Sequence, residues 1–373
     1  MNFCVIGAGS GGRAFAAYLS SKGHSVSLYN RSYHRISAIQ QKGGIEATGE
    51  LKGFFPIQTV TQDLELAVRD AEIILVVTPA FAHKSIAKNI APHLKEGQVI
   101  ILNPGRTFGS VEFLREIDKV RGKFPVFIGE TQTLLFTSRE LPGNGVRILK
   151  IKNKVSFSTF PEKYIDLIND LLKNTFPQLI SNENYLELTL NNIGMLLHPT
   201  ISLFNAGPMD FGKTFKFYKE GATTRVCHVL EEVESEITEI FSVLGLKYMP
   251  FEKWAYKCYG IKANCIHDAI QQLEVYNNIK APKELITRYF TEDVPTGLVP
   301  IASLASFLGI ETPIIDSIIQ LASVLCGINF LDRGRSIERL KIKDYLRERI
   351  FQATVLTDEF LSKERIRSTK EDM

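Results

Sequence analysis

Little in this chain of 373 residues points toward metal, disulfide or nucleic-acid chemistry. Its five cysteines, Cys4, Cys227, Cys258, Cys265 and Cys326, show neither metal-type nor redox-type pair spacing, so neither a metal site nor a disulfide framework is expected. Such a sparse, odd set suits a reducing cytoplasm. The formal net charge of +3 is small, and no basic run is interleaved with aromatics, which excludes a nucleic-acid partner. No apolar run approaches the ~18 residues that a membrane span needs; the longest, such as residues 73–77, have strand length. Apolar character begins at about residue 2, leaving no room for a charged leader and an apolar signal segment, so a cytoplasmic protein is expected. No internal repeat or low-complexity tract is present. The tail, residues 362–373, is mostly charged and polar and is expected to fray. What remains is an ordinary globular composition, 45% hydrophobic and 23% charged, at a length that favours two domains.

The most informative stretch is the first. An apolar run, residues 3–6, leads into Gly7-x-Gly9-x-x-Gly12, and an alanine-rich helical pattern follows as far as Gly23. Strand, glycine turn and helix in this order form the context in which such a motif binds a dinucleotide. Gly7 permits the tight turn, Gly9 lets the backbone approach a pyrophosphate, and Gly12 lets helix and strand pack closely. Ser10 opens the helix, whose N-terminus offers N–H groups and a positive dipole end to phosphates.

A second short strand, residues 24–29, ends at Asn30, Arg31 and Ser32. NAD-specific sites place a carboxylate here to hold the ribose 2′-hydroxyl. An amide, a guanidinium and a hydroxyl instead suit a 2′-phosphate. The charge argument favours NADP(H), with NAD(H) the other candidate, and Arg35 lies one turn further on. A glycine-rich loop then precedes a strand at 54–60. A short helix at 63–70, a buried strand at 71–78, a helix at 81–93 and an apolar strand at 98–103 follow. This alternation predicts an α/β fold with a doubly wound, Rossmann-type parallel sheet. Pro79, Asn103 and Glu130 fall at strand ends, where such sheets bind ligands; plain strand-ending turns would look the same. His83 reads as a surface or capping residue. Residues 146–160 alternate apolar residues with Arg147, Lys150, Lys152 and Lys154, the pattern of strands with one wet face.

Beyond residue 180 helical periodicity dominates, so a dinucleotide-binding domain over 1–180 and an all-helical domain over 181–373 are expected. A stripe from Val226 to Leu244 marks a long helix, with Glu231, Glu232, Glu234 and Glu239 on a solvated face. Two stretches do not read as plain packing. In the first, His198 sits beside Pro199 in an apolar segment, with Asn192 about two turns earlier. In the second, residues 288–300, Arg288, Glu292 and Asp293 share a proline- and glycine-containing segment that reads as a shaped loop. Together they supply a histidine, a carboxylate to orient it and an arginine to clamp a substrate carboxylate, the parts of a hydride-transfer site for an oxo or imino acid. Trp254, Tyr256 and Tyr259 form an aromatic cluster that reads more readily as core than as pocket.

These motifs, in this order, resemble the octopine/nopaline (opine) dehydrogenase family. The likeness rests on residues 7–19, residues 101–105, Gly129-Glu130-Thr131 with Leu135-Phe136, His198-Pro199, and the run from Arg288 to Pro300. The resemblance implies reductive condensation of an amino acid with a 2-oxo acid, often pyruvate, to a secondary-amine dicarboxylate, in a cleft between the two domains. It implies that His198 is the acid/base residue, that Asp293 orients it and raises its pKa, and that Arg288 holds a substrate carboxylate, with Asn192 assisting. NAD-using members carry an acid where this chain has Asn30. A two-domain dehydrogenase of the glycerol-3-phosphate or 2-oxo-acid kind, which would use a lysine, is the alternative; a non-enzymatic nucleotide sensor is a further one. The amino acid, the oxo acid and the oligomeric state are left open, a homodimer being compatible with the sequence.

Overall fold

The computed structural model describes residues 1–350; the charged tail expected to fray lies outside the described residues. Twelve strands are present among them: β1 (Asn2–Ile6), β2 (Ser25–Tyr29), β3 (Gly44–Gly49), β4 (Gly53–Pro56), β5 (Thr59–Thr61), β6 (Ile73–Val76), β7 (Val99–Leu102), β8 (Phe127–Thr131), β9 (Phe136–Glu140), β10 (Gly145–Ile151), β11 (Val155–Phe160) and β12 (Leu179–Ser181). Eight build one sheet in the order β12-β11-β8-β7-β6-β1-β2-β5. Its pairings are parallel except where β11 runs against β8. The chain grows outward from β1 to β2 and β5, then returns to β6 on the other side of β1. That reversal opens a crevice at the carboxyl ends of β1 and β6, the place where doubly wound sheets bind ligands.

The other four strands form a smaller sheet, β4-β3-β10-β9. This corrects two expectations. The glycine-rich loop after residue 43 contains β3, which pairs in parallel with β10. The run 146–160 is divided between sheets, β10 in the small one and β11 in the large one. Lys152, in the turn between them, is buried rather than wet. The helix Ser10–Ser21 lies between the two sheets and is buried without a break from Gly12 to Leu19. Its alanines are what a helix covered on both sides needs, since small side chains let two sheets approach it. Phe15 and Tyr18 pack on Phe136 of β9 and on Phe176.

From Tyr185 onward the regular elements among the described residues are all helices, joined by irregular segments with one isolated β-bridge, Lys216 with Lys280. The helix Thr224–Val243 buries Val226, Leu230, Val233, Ile237 and Ile240 in a second core. Glu234 is only half-solvated, accepting hydrogen bonds from the Tyr248 hydroxyl and the Phe251 N–H. The stretch 288–300 is not a loop: a helical turn at Arg288–Thr291 passes through a wide π-type turn, Val294–Leu298, into the helix Val299–Leu308. Such widened turns recur at functional sites because they re-aim side chains. Among the described residues no single helix is long and apolar enough to cross a membrane.

Candidate active site

A cleft of about 430 Å³ runs between the sheet and the helical part, lined by Gly9, Ser10, Pro79 and Asn103 from one side and by His198, Tyr218 and Arg288 from the other. At its first end the site is made of backbone. Gly7 adopts φ +113°, and a Cβ on Gly12 would stand 1.7 Å from the Gly7 carbonyl oxygen. A Cβ on Gly9 would meet nothing within 4 Å, so this backbone faces open space. The helix it starts has no side-chain cap and no acidic residue in its first turn. A pyrophosphate fits such a helix end. The Ser10 hydroxyl accepts from the Glu140 N–H. Asn30 braces the turn: its Oδ1 accepts from Ala8 N–H at 3.1 Å while its amide donates to the Ser32 carbonyl.

Arg13, which the motif leaves unassigned, ties this end together. It is buried, donates to the carbonyls of Ala8, Gly143, Gly145 and Arg35, and pairs with Glu140 at 3.0 Å. Arg35 also pairs with Glu140, at 3.1 Å. Arg31 is exposed at the edge of the nucleotide end, and its guanidinium has no ion-pair partner among the described residues. Ser32 lies beside it, half-buried.

The other end is made of side chains. Asn192 caps the helix Ile193–Phe204, accepting from the N–H groups of Gly194 and Met195. One and a half turns later that helix presents His198. Its Nδ1 lies 2.7 Å from the Asp293 carboxylate and its Nε2 lies 2.8 Å from the Tyr218 hydroxyl. The ring stacks on Tyr289 at 4.4 Å. Burial pushes the His198 pKa below its ordinary value; Asp293 opposes this, while Arg288 and Arg106 add to it. The net direction is therefore the reverse of the one expected from Asp293 alone, because desolvation penalises the imidazolium more than one shared carboxylate repays it. Burial would raise the Asp293 pKa, but Arg106 and His198 outweigh it and hold the acid ionised.

Arg106 is the residue that the motifs did not single out. It follows the Asn103-Pro104-Gly105 turn after β7 and sits at φ +62°, a conformation that costs an ordinary residue roughly 1–2 kcal/mol. From there its guanidinium reaches Glu292 at 3.2 Å, Asp293 at 3.3 Å and the Asn192 amide oxygen at 3.3 Å. A Cβ on Gly194 would stand 2.0 Å from this guanidinium, so only glycine lets the arginine pass. The loop is held from the helical side: the Thr189 hydroxyl accepts from Phe108 N–H, and Thr107 N–H donates to the Thr296 carbonyl. Arg335 braces the same strand ends, donating to the Gly105, Thr107 and Ala80 carbonyls and pairing with Glu112 at 2.9 Å. His83, expected at the surface, is fully buried beside Arg335 and Phe113. Burial and the Arg335 charge push its pKa well down, so it is neutral.

Four further residues, Glu130, Asn192, Trp254 and Tyr259, stand apart from the expectations. Glu130 does not line the cleft. It is fully buried under the Gly105 turn, its carboxylate accepting from Ser110 N–H, Ser110 Oγ, Thr189 Oγ1 and Tyr185 OH. Asn192 is likewise behind the cleft wall, its amide committed to the helix cap and to Arg106. Arg288 is half-exposed at the cleft, over the Tyr289 ring and 3.9 Å from Glu292. Trp254 and Tyr259, read as core, line the cleft, whereas Tyr256 faces out.

Comparison with known proteins finds family models that match both halves of the chain. Residues 181–326 match the model of the NAD/NADP octopine/nopaline dehydrogenase alpha-helical domain. Residues 2–117 match that of the NAD-dependent glycerol-3-phosphate dehydrogenase N-terminus. The opine dehydrogenase of Arthrobacter sp. (strain 1C) is 40% identical over 340 residues, 91% of this chain and 94% of that protein. In fold the chain resembles octopine dehydrogenase in complex with NADH and L-arginine, with a TM-score of 0.74 at 19% identity, over 92% of this chain and 96% of the other. It also resembles NADP+-bound yersinopine dehydrogenase, with a TM-score of 0.70 at 14% identity, over 94% of this chain and 98% of the other.

Proposed function

This chain belongs to the opine dehydrogenase family, a nicotinamide-dependent oxidoreductase acting on CH–NH donors, and from that premise we propose that it condenses an amino acid reductively with a 2-oxo acid such as pyruvate. The product is a secondary-amine dicarboxylate, and NADPH is favoured over NADH. The observation that carries the reading is the 2.7 Å contact of His198 with Asp293 on a cleft that the glycine turn also lines.

The nicotinamide, when bound, supplies the hydride. His198 moves the proton. Asp293 engages Nδ1 and so fixes the tautomer, leaving Nε2, which meets the Tyr218 hydroxyl, to exchange a proton toward the cleft. Tyr218, on Nε2, occupies the position a substrate atom would take and can pass the proton onward. Arg288 offers a guanidinium to the 2-oxo acid carboxylate beside this dyad. Arg106 keeps Asp293 ionised and in place, with Asn192 holding Arg106 rather than touching substrate. Asn30 in place of a carboxylate, with the unpaired Arg31 guanidinium next to it, supports a 2′-phosphate.

The test is nucleotide oxidation across a panel, each amino acid crossed with pyruvate, oxaloacetate and 2-oxoglutarate, with NADPH and NADH in parallel. Oxidation should require both amine and oxo acid. Equal oxidation with the oxo acid alone would point to a hydroxyacid-type dehydrogenase, and no oxidation with any pair would remove the reading.

A further inference from the structure

Three lysine or arginine side chains are buried among the described residues: Arg13, Arg335 and Lys152. The first two meet carboxylates, Glu140 at 3.0 Å and Glu112 at 2.9 Å. The nearly buried Arg106 meets two. Lys152, 6% exposed, has no carboxylate within 4.0 Å among the described residues. A buried cation without a counter-charge costs several kcal/mol in general and persists only where something repays it.

Its surroundings show what is missing. Lys152 lies in the turn between β10 and β11, held by its own N–H on the Leu135 carbonyl. The ammonium donates to Thr133 Oγ1 and to the Leu134 carbonyl, both at 2.7 Å. An ammonium has three donors, so one remains. Lys152, Thr133 and Leu134 all line the cleft, as do Trp254 and Tyr259, whose rings lie 5.6 and 5.8 Å from the ammonium. The neighbouring titratable groups are the Cys258 thiol and the Arg106 guanidinium, and neither is an anion, since burial pushes the Cys258 thiol up to about 11. Burial lowers the Lys152 pKa to about 8, so it is still mostly charged at neutral pH.

We propose that Lys152 is the anchor for the carboxylate of the amino donor, the second of the two carboxylates that the reaction brings into the cleft. The inference rests on the function proposed above. Arg288 and Lys152 both line the cleft; with Arg288 assigned above to the oxo acid beside the His198–Asp293 pair, Lys152 is the cation left for the other partner. Trp254 and Tyr259 beside it give an amino-acid side chain an aromatic wall, for which the methyl group of pyruvate has little use. The nucleotide pyrophosphate is the other anion in the cleft, but among the described residues no hydrogen bond or ion pair joins Lys152 to residues 9–12, whereas both aromatic neighbours belong to the helical part.

The test compares the wild type with Lys152→Met, using one amino acid found active and the amine that is the same molecule without its carboxylate. The apparent KM for the amino acid should rise about 10- to 100-fold, the loss of one buried charge-assisted contact. The KM for the amine, the KM for the oxo acid and the Kd for NADPH should stay within about twofold. The amine serves as the control for folding. An unchanged amino-acid KM overturns the proposal, as does an equal rise for amine and amino acid, or a loss confined to the oxo acid or the nucleotide. Absence of turnover in the wild type would be a failure of the proposed function instead. Calorimetric titration of the nucleotide-loaded protein with the amino acid then decides the anchor: binding weakened in Lys152→Met supports it, and equal binding overturns it.

Discussion

The two ends of the cleft solve different problems with different materials. The nucleotide end is a turn of glycines and a bare helix N-terminus, in which what matters is the absence of side chains: a Cβ at Gly12 would collide with Gly7 at 1.7 Å. The chemical end is a knot of charged and polar side chains from three segments 86 or more residues apart, Arg106, Asn192 with His198, and Asp293, each holding another. Backbone donors bind a phosphate without needing a particular protonation state. A proton-transferring histidine needs its charge set by neighbours. The first end therefore tolerates little change in shape, and the second little change in charge.

That contrast can be broken in four places. The largest effect is expected at His198: His198→Ala should lower kcat by about 10²–10⁴-fold while leaving nucleotide Kd unchanged, measured by steady-state kinetics beside fluorescence titration. In the wild type the sign of the pH dependence follows from the lowered His198 pKa. Oxidation of the product, which needs the neutral ring, should persist below pH ~6.5. The reductive direction, which needs the proton, should fall as pH rises through that lowered pKa. Stability should be lost as pH drops below ~6.5, because the unfolded chain then takes up a proton the folded site resists. Both limbs should vanish in His198→Ala.

Next comes Arg106→Met, which removes the buried cation that Asp293 and Glu292 share, leaving Glu292 only the half-exposed Arg288 at 3.9 Å. A stability loss of about 3–5 kcal/mol is expected, read by denaturant unfolding, together with a raised Asp293 pKa and a kcat profile displaced along the pH axis. A variant that melts and turns over like wild type would mean the knot is not coupled. Gly12→Ala is the converse test at the backbone end. It should cost about 1–3 kcal/mol of stability through overpacking and weaken nucleotide binding, without moving the pH profile of the remaining activity. The smallest effect is expected for Arg31→Asp, an exposed residue. A shift in the NADPH-to-NADH preference of about tenfold corresponds to one charge-assisted contact, and an unchanged ratio would take Arg31 out of the nucleotide site.

Much of the nucleotide end was legible because its determinants are local. Gly7, Gly9, Gly12 and Asn30 lie within one strand–helix–strand unit, and period-two and helical patterns locate the flanking elements. The His198, Asp293 and Arg288 trio was legible as residue types in unusual contexts. The segment 288–300 was read as a loop because Pro295, Gly297 and Pro300 punctuate it. In the fold, Gly297 lets the widened turn pass Met195, where a Cβ would lie 2.4 Å from the Met195 Cβ. Glu130 was placed at a strand end correctly, yet its side chain turns inward to Ser110 and Thr189, which no local pattern encodes. Lys152 alternated with apolar neighbours and so read as wet. Its burial comes from the helix Phe251–Tyr259 packing on the β10–β11 turn, with Asn153 N–H on the Cys258 carbonyl at 2.9 Å.

By itself, then, the order of residues determined a doubly wound sheet with a glycine turn and a helical second half, and marked one histidine, one acid and one arginine as candidates for the site, since periodicity and turn chemistry act over a few residues. Only the tertiary structure decided that Arg106 bridges to Asp293, that Glu130 and Asn192 support the site from behind, and that Lys152 is a buried charge with no carboxylate partner among the described residues. Those outcomes depend on desolvation and on which distant segments meet, and both arise only when the two cores pack against each other.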